Sequence, residues 1–550
     1  MNGFDFIVVG AGTAGCVLAA RLSEDANCRV ALVEAGPTDK NAFIHIPAGV
    51  AKAMFDPSIG WGYSTEPQPA LNGRRIPMPR GRVLGGSGSI NGMAYHRGSP
   101  RDYEDWAAAG NTGWSYREVL PYFIRSENNE AFAGSPYHGV GGPMNVTYIE
   151  RPNPLNKTIA AAMGSLQHRQ IEDFTGPQTE GFGLRQGTIR DGRRESTATA
   201  FLRPAMGRRN LTVITDALVT GVAIEDGRAI GVDIEREGRK ERLTSRREVV
   251  LCGGAFGSPQ LLQLSGVGDG AALQALGIPV KHHLPDVGAH LQDHLASSVQ
   301  MTTENTESYG ISWRTLPRGA WIILQYLLAR KGPLASNVFE TTAYLRSDPT
   351  LDRPDLQFVF QPARRNPTPF PIPIGHGYAM SQVLLYPKSR GTVSLASADA
   401  RTAPRIDPQL LSEPEDIQPL LRGLRMARRM LGAPAFDRYQ GIEVAPGPAV
   451  ETDDQLVDYI RRTSATVHHP AGTCRMGADA ASVVDPELRV RGIADLRVAD
   501  ASIFPRLVGG NTNAPVVMVA EKCADMMLGR PAPPPADVPD LPPGEGLRAP

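Results

Sequence analysis

Three short runs of this chain carry residue types that chemistry needs. Val467 to Gly477 sets His468 and His469 side by side, before Pro470 and two glycines. A neutral imidazole can take a proton from a hydroxyl group near neutral pH. A loop histidine serves equally well as a satisfied structural residue, so the run leaves both roles open. Gly509 to Pro515 holds Asn511, Thr512 and Asn513 just ahead of an apolar helical pattern from Val516 to Leu528. Pro515 fits a first helical turn, and Asn513 or Thr512 can cap it. That helix N-terminus can stabilise negative charge on a ring system or a substrate oxygen. In the third run Gly10, Gly12 and Gly15 follow the apolar stretch Phe6 to Val9, and Glu34 closes the next stretch, Arg29 to Val33.

The third layout predicts a dinucleotide-binding βαβ unit. Gly10 allows the tight turn, Gly12 lets amides approach a pyrophosphate, and Gly15 lets the helix pack closely on the sheet. Thr13 and Ala14 open that helix, whose dipole faces the phosphates. Glu34, with no arginine beside it, is placed to accept from a free ribose, so FAD or NAD fits and NADP does not. The Gly- and Pro-rich stretch from Pro47 to Pro100 cannot be one regular element and reads as an extended segment laid along a ligand. Strands are predicted at Leu211 to Ile214 and Leu218 to Ile224. Glu248 to Gly254 then ends in glycines before a helix at Ser258 to Leu264, which returns the chain to the first sheet. Beyond Ser308, helices at Gly319 to Ala329 and Pro414 to Leu431 mix with strands at Leu356 to Phe360 and Gly391 to Leu395, as in a separate α+β domain.

The expected division is therefore 1–155, 205–305 and 480–530 for the nucleotide, with 156–204 and 306–479 for the substrate. Residues 531–550, rich in proline, are expected to be a disordered tail. At 550 residues the chain exceeds one ordinary core. Lys plus Arg and Asp plus Glu each total 57, which removes an overall electrostatic case for nucleic acid. Five scattered cysteines without a CxxC pair suggest neither a metal site nor a disulfide framework. No signal peptide or bilayer-spanning stretch is read, so a cytoplasmic location is expected, with peripheral membrane contact left open.

Two longer runs, Gly81 to Asn91 and Gly254 to Gly268, resemble the two characteristic stretches of the glucose-methanol-choline (GMC) flavin oxidoreductases. The resemblance extends from Phe4 to about Gly529. Pro37 to Ala48, Gly332 to Glu340 and Pro387 to Gly391 look most like the family's bacterial acceptor-linked alcohol dehydrogenases. The fold this implies is α/β: a discontinuous Rossmann-like FAD-binding domain plus an α+β substrate domain whose β-sheet covers the flavin. It implies FAD and hydride removal from the carbon of a small-molecule alcohol, with electrons passed to a quinone or other acceptor. An oxidase using dioxygen is the alternative; a lyase or photodecarboxylase of the same fold is a more distant one.

The resemblance also assigns residues. His469 becomes the proton acceptor and Asn513 the group holding the substrate oxygen, with His468 shaping the pocket. Besides Gly10, Gly12, Thr13, Ala14, Gly15, Glu34 and Ala35, the implied FAD contacts are Arg82, Val83, Gly85, Gly86, Asn91, Gly92, Met93 and Ala94. Further along the chain they are Val219, Gly253, Asp500, Ala501, Asn511, Thr512 and Asn513. Ile90 stands where some members attach FAD through a histidine, which implies noncovalent FAD. Gln292-Asp293-His294 is expected to support the cofactor domain, Glu340 to be a bridging structural carboxylate, and Cys474 to be packing.

Overall fold

A computed structural model describes residues 3–364 and 374–539. Phe6, Ile7, Val8 and Val9 of strand Phe4–Val9 are buried on both faces, as a near-continuous apolar run in a parallel sheet must be. It pairs in parallel with Val30–Val33 on one side and with the end of Arg239–Leu251 on the other. Leu211–Ile214 extends the sheet beyond Val30–Val33, and Leu496–Val498 pairs in parallel with Arg239–Leu251. The first half of Arg239–Leu251 forms an antiparallel meander with Arg228–Arg236 and Ala217–Glu225. Strands from three distant parts of the sequence, 4–33, 211–251 and 496–498, thus build one sheet, and the discontinuous nucleotide unit is physical.

Glycine is forced at the first turn. Gly10 has φ +96°, and a Cβ on Gly15 would lie 1.9 Å from the Gly10 carbonyl oxygen. Helix Thr13–Leu22 packs against helix Asn513–Leu528, and both are buried along most of their length. Glu521, wholly buried on the second helix, is clamped by Arg21 and Arg125, each at 2.8 Å. This clamp sets the N-terminal end of Asn513–Leu528 beside the glycine turn.

The second sheet is antiparallel, in the order Ile442–Ala445, Leu295–Thr303, His376–Leu384, Leu356–Gln361, Thr341–Leu345, Gly181–Leu184. Its alternation has period two. Leu356, Phe358, Phe360 and Met380 face helix Ile417–Leu431 through Leu420, Leu424 and Met430. Gln357, Val359, Gln361, Ser381 and Val383 point the other way and roof the cavity described below.

Several expectations shift. Leu295–Thr303 belongs to the second sheet although it precedes the predicted boundary at 305, whereas Ala471, Cys474 and Met476 pack into the core of the first sheet. Helices predicted from Ser258 and Gly319 begin at Gly254 and Leu316. The Pro47 to Pro100 stretch is not simply extended, since it coils into short turns such as Val50–Met54 and Gly86–Ser89. The tail is ordered over its first part: the Ala536 amide donates to the Arg117 carbonyl, Arg117 Nε donates to the Ala536 carbonyl, and Val538 is buried. The rest of the tail expectation, 540–550, lies outside the described residues.

Candidate active site

A cavity of about 1910 Å³ runs from the glycine turn to the second sheet. That exceeds the roughly 300–1,000 Å³ of a typical small-molecule pocket and leaves room for a dinucleotide with a substrate. Gly10, Gly12, Thr13, Ala14, Glu34 and Ala35 line one end. Gly86, Asn91, Gly92, Met93, Ala94, Val219, Gly253, Asp500 and Ala501 line its middle, and Asn511, Thr512 and Asn513 border it at the helix start. A Cβ on Gly86 would fall 2.7 Å from the Gly12 Cα, so the two glycine runs touch only because both lack side chains. Glu34 accepts from the Ala11 and Gly36 amides at 2.8 and 2.9 Å. Burial pushes its pKa up to about 7 despite these donors, and each oxygen keeps a second lone pair for a ribose hydroxyl.

Four predicted contacts stand behind this lining instead. Gly15 lies under the Gly10 carbonyl, and Val83 is buried among Ile44, Ala53, Ile59 and Ile90. Gly85 donates its amide to the Ala11 carbonyl at 2.7 Å, and Arg82 donates from Nε to the Ala35 carbonyl at 3.3 Å. They shape the cradle without lining it.

At the other end His469 sits in a hydrogen-bonded chain whose proton positions follow from one another. His294 Nε2 lies 3.0 Å from the Leu385 carbonyl, which can only accept, so this nitrogen carries a hydrogen. Burial lowers the His294 pKa to about 4, so the ring is neutral and its Nδ1 is bare. His469 Nδ1, 2.9 Å away, must then be the donor. His469 is neutral too, because burial holds its pKa well below the ordinary value. Its Nε2 is therefore the bare nitrogen, and it accepts from Asn511 Nδ2 at 3.1 Å. A base at Nε2 is fixed by a carbonyl two residues further along the chain of bonds.

The backbone holds the ring as firmly. Asp293 Oδ1 accepts from the His469 amide at 2.8 Å, and Arg80 donates to the His468 carbonyl at 2.7 Å. His468 has φ +69°, an uncommon conformation for a side chain of this size and one typical of functional sites. It lines the cavity with its ring Nδ1 3.3 Å from the Thr466 hydroxyl. Burial raises the Asp293 pKa to about 7, against the pull of Arg80.

The structure places Asn511 rather than Asn513 beside His469. Asn513 Oδ1 accepts from the Thr13 hydroxyl at 2.8 Å, which ties Asn513 to the nucleotide turn. Asn511 is the residue at His469, and its buried Oδ1 has no partner among the described residues. Such an atom has lost its water and fits a polar ligand group. Sequence reasoning also missed His294. It left the Gln292-Asp293-His294 run as cofactor-domain support, yet two of these three residues hold His469 directly. The adjacent acid and histidine of that run were the available signal.

Among the described lining residues the acids are Glu34 and Asp500, both in the nucleotide part. Asp500 accepts from the Gly254 amide and the Ser258 hydroxyl at 2.8 and 2.6 Å. The substrate end carries apolar Leu334, Phe339, Val359 and Val383 with several arginines. Arg80 and Arg185 are engaged with carbonyls, of His468 and Phe339 respectively. Glu340 is a bridge away from the lining, accepting from the Asn153 amide at 2.7 Å and the Tyr309 hydroxyl at 2.8 Å. Cys474 is buried in packing.

The chain matches known proteins over nearly its whole length. The N-terminal GMC oxidoreductase family model matches residues 4–296 and the C-terminal one residues 387–520. The chain is 44% identical over 527 residues to "Alcohol dehydrogenase [acceptor]" of Pseudomonas putida, covering 96% of each. It is 42% identical over 528 residues to an "Oxygen-dependent choline dehydrogenase" of Rhizobium etli, again covering 96% of each. Pyridoxine 4-oxidase from Mesorbium loti superposes with a TM-score of 0.86 at 31% identity, over 96% of this chain and 99% of that one. An FAD-dependent oxidoreductase from Chaetomium thermophilum gives 0.88 at 26% identity, over 96% and 99%. With both family models matched in order and relatives above 40% identity over nearly the whole length, the chain belongs to the GMC oxidoreductase family.

Proposed function

We propose that this protein is an FAD-dependent dehydrogenase of a neutral, largely apolar alcohol, with a quinone or similar carrier as electron acceptor. The observation that carries it is the bare Nε2 of His469 beside Asn511, in a cavity continuous with the nucleotide cradle. An alcohol oxygen inserted between them would accept from Asn511 Nδ2 and give its proton to His469 Nε2. As the proton leaves, negative charge on the oxygen is held by Asn511 and weakens the adjacent C–H bond. FAD, when bound, supplies the acceptor for that C–H electron pair. The residues fit FAD: Gly10 to Ala14 and Glu34 would hold the adenosine and pyrophosphate, and Gly86 to Ala94 the flavin side. Ile90 offers no nucleophile, so the attachment is noncovalent.

The neutral substrate is supported by the missing counter-charge. A quaternary ammonium ligand needs a carboxylate or an aromatic cage. Among the described residues no acid lines the substrate end, so a cation would have only the cavity's aromatic faces, Trp61, Tyr63 and Phe339 among them, to hold it against the repulsion of the arginines there. Similarity to the Pseudomonas enzyme favours a carrier, while the oxidases among the structural relatives favour dioxygen as the second reading. Acid precipitation is expected to release all the flavin into solution. Turnover with a primary alkyl alcohol and a quinone-like dye is expected to exceed peroxide production in air by at least about tenfold, and to exceed turnover with choline. Peroxide formed as fast as dye is reduced sinks the carrier, and faster turnover of choline sinks the neutral substrate.

A further inference from the structure

A surface helix ordinarily turns its apolar stripe inward. Helix Leu316–Ala329 does the reverse. Tyr326 is its one buried side chain among the described residues, donating its hydroxyl to the Gly192 carbonyl at 3.2 Å. At about 100° per residue, Ala320, Trp321, Leu324, Leu327 and Leu328 fall in one arc of roughly 120° opposite Tyr326. Trp321 is 62% exposed and Leu328 78%. Trp313 ahead of the helix is 77% exposed, and Ile374, bridged to Ile311, is 81% exposed. An apolar surface of this kind, with two tryptophans, marks a binding face.

Charge indicates what binds. Residues 308–339 contain Arg314, Arg318, Arg330 and Lys331 and no acid, in a chain of zero net charge. Lys331 reaches Glu150 at 3.0 Å, and Arg314 lies over the Trp313 ring. A second copy docked symmetrically on this face would set these cations against themselves, which disfavours it. A 14-residue helix spans about 21 Å, short of the roughly 30 Å hydrocarbon core, and no described helix is long and apolar enough to cross a membrane. Exposed Trp and Leu flanked by Arg and Lys are what an interfacial helix needs to lie in the headgroup region of an anionic bilayer.

We infer that the face formed by Trp313, Trp321, Leu324, Leu328 and the flanking cations docks this protein on an anionic lipid bilayer. Ile323, Tyr326 and Leu327 on the same helix line the cavity. Docking therefore turns the cavity mouth toward the lipid, where an apolar alcohol or a lipid-soluble acceptor is concentrated. The docking itself does not rest on the proposed chemistry.

The test is flotation of the holoenzyme with phosphatidylcholine vesicles, with and without phosphatidylglycerol. Wild type is expected to float with the anionic vesicles, less so at high salt, and more weakly with phosphatidylcholine alone. Trp321→Glu with Leu328→Glu is expected to lower binding at least about tenfold, with flavin content and turnover of a water-soluble alcohol unchanged. Arg314→Glu with Arg318→Glu is expected to abolish the preference for anionic vesicles. Wild type that floats with neither vesicle, floats equally with both, or is matched by the Trp321/Leu328 variant overturns the proposal. So does a wild-type dimer that the same variant converts to monomer without any vesicle binding.

Discussion

Replacing His469 with alanine is expected to slow anaerobic flavin reduction by alcohol by about 10²- to 10⁴-fold with FAD still bound, the usual contribution of a positioned base. His469 lines the cavity beyond the nucleotide cradle, and its ring bonds go to His294 and Asn511. Its loss removes the proton acceptor and leaves the glycine-turn cradle intact. The asparagines separate the Asn511 assignment from the one read off the sequence. Asn511→Ala should lower the reduction rate by about 10²-fold or more, as loss of one donor to a developing oxyanion does. Asn513→Ala loosens the Thr13 contact and should show chiefly as weaker flavin retention. Rapid-mixing measurements on the three variants decide it, and a larger loss of reduction rate in Asn513→Ala than in Asn511→Ala would reverse the assignment.

The second large effect is expected at His294, which would touch neither substrate nor cofactor and acts as a positioning residue. Without its Nδ1 acceptor, His469 is free to carry its hydrogen on Nε2, where it cannot take a proton. His294→Ala is expected to cost on the order of 10²-fold in reduction, short of the ~10⁴-fold that a wrong tautomer costs a serine protease. His294→Asn places Oδ1 where Nδ1 was and is expected to recover much of the rate. The pH profile supplies a second readout. In wild type burial holds the His469 pKa well below its ordinary value. The neutral base therefore persists as pH falls through 6.5, and kcat/KM stays flat there. Truncating His294 opens space beside the ring and relieves the burial that lowers the pKa, so the acid limb should move to higher pH in His294→Ala. An unmoved limb together with no rescue by asparagine would reduce His294 to packing.

Local sterics explain what the sequence made legible. Gly10, Gly15 and Glu34 are spaced by one strand, one turn and one helix, so their arrangement follows from geometry within about 30 residues. His469 was legible as a residue type beside Pro470, but its tautomer was not, because that depends on His294, 175 residues away in the chain. Asn511 and Asn513 flank Thr512 in an identical local setting. Only the tertiary positions of Thr13 and His469 distinguish them. Helix Leu316–Ala329 shows a related limit: a 3.6-residue period says that a stripe exists and not which way it faces. The tail looked too poor in apolar residues to order, yet Val538 finds a buried place and Ala536 a backbone partner in Arg117.

The central claim, that this cavity removes hydrogen from an alcohol carbon into bound FAD, is tested most directly by mixing holoenzyme with a primary alkyl alcohol under nitrogen. The flavin absorbance should bleach, and more slowly when the carbinol hydrogens are replaced by deuterium. Flavin that stays oxidised with every neutral alcohol, or bleaching indifferent to deuterium at that carbon, would contradict it.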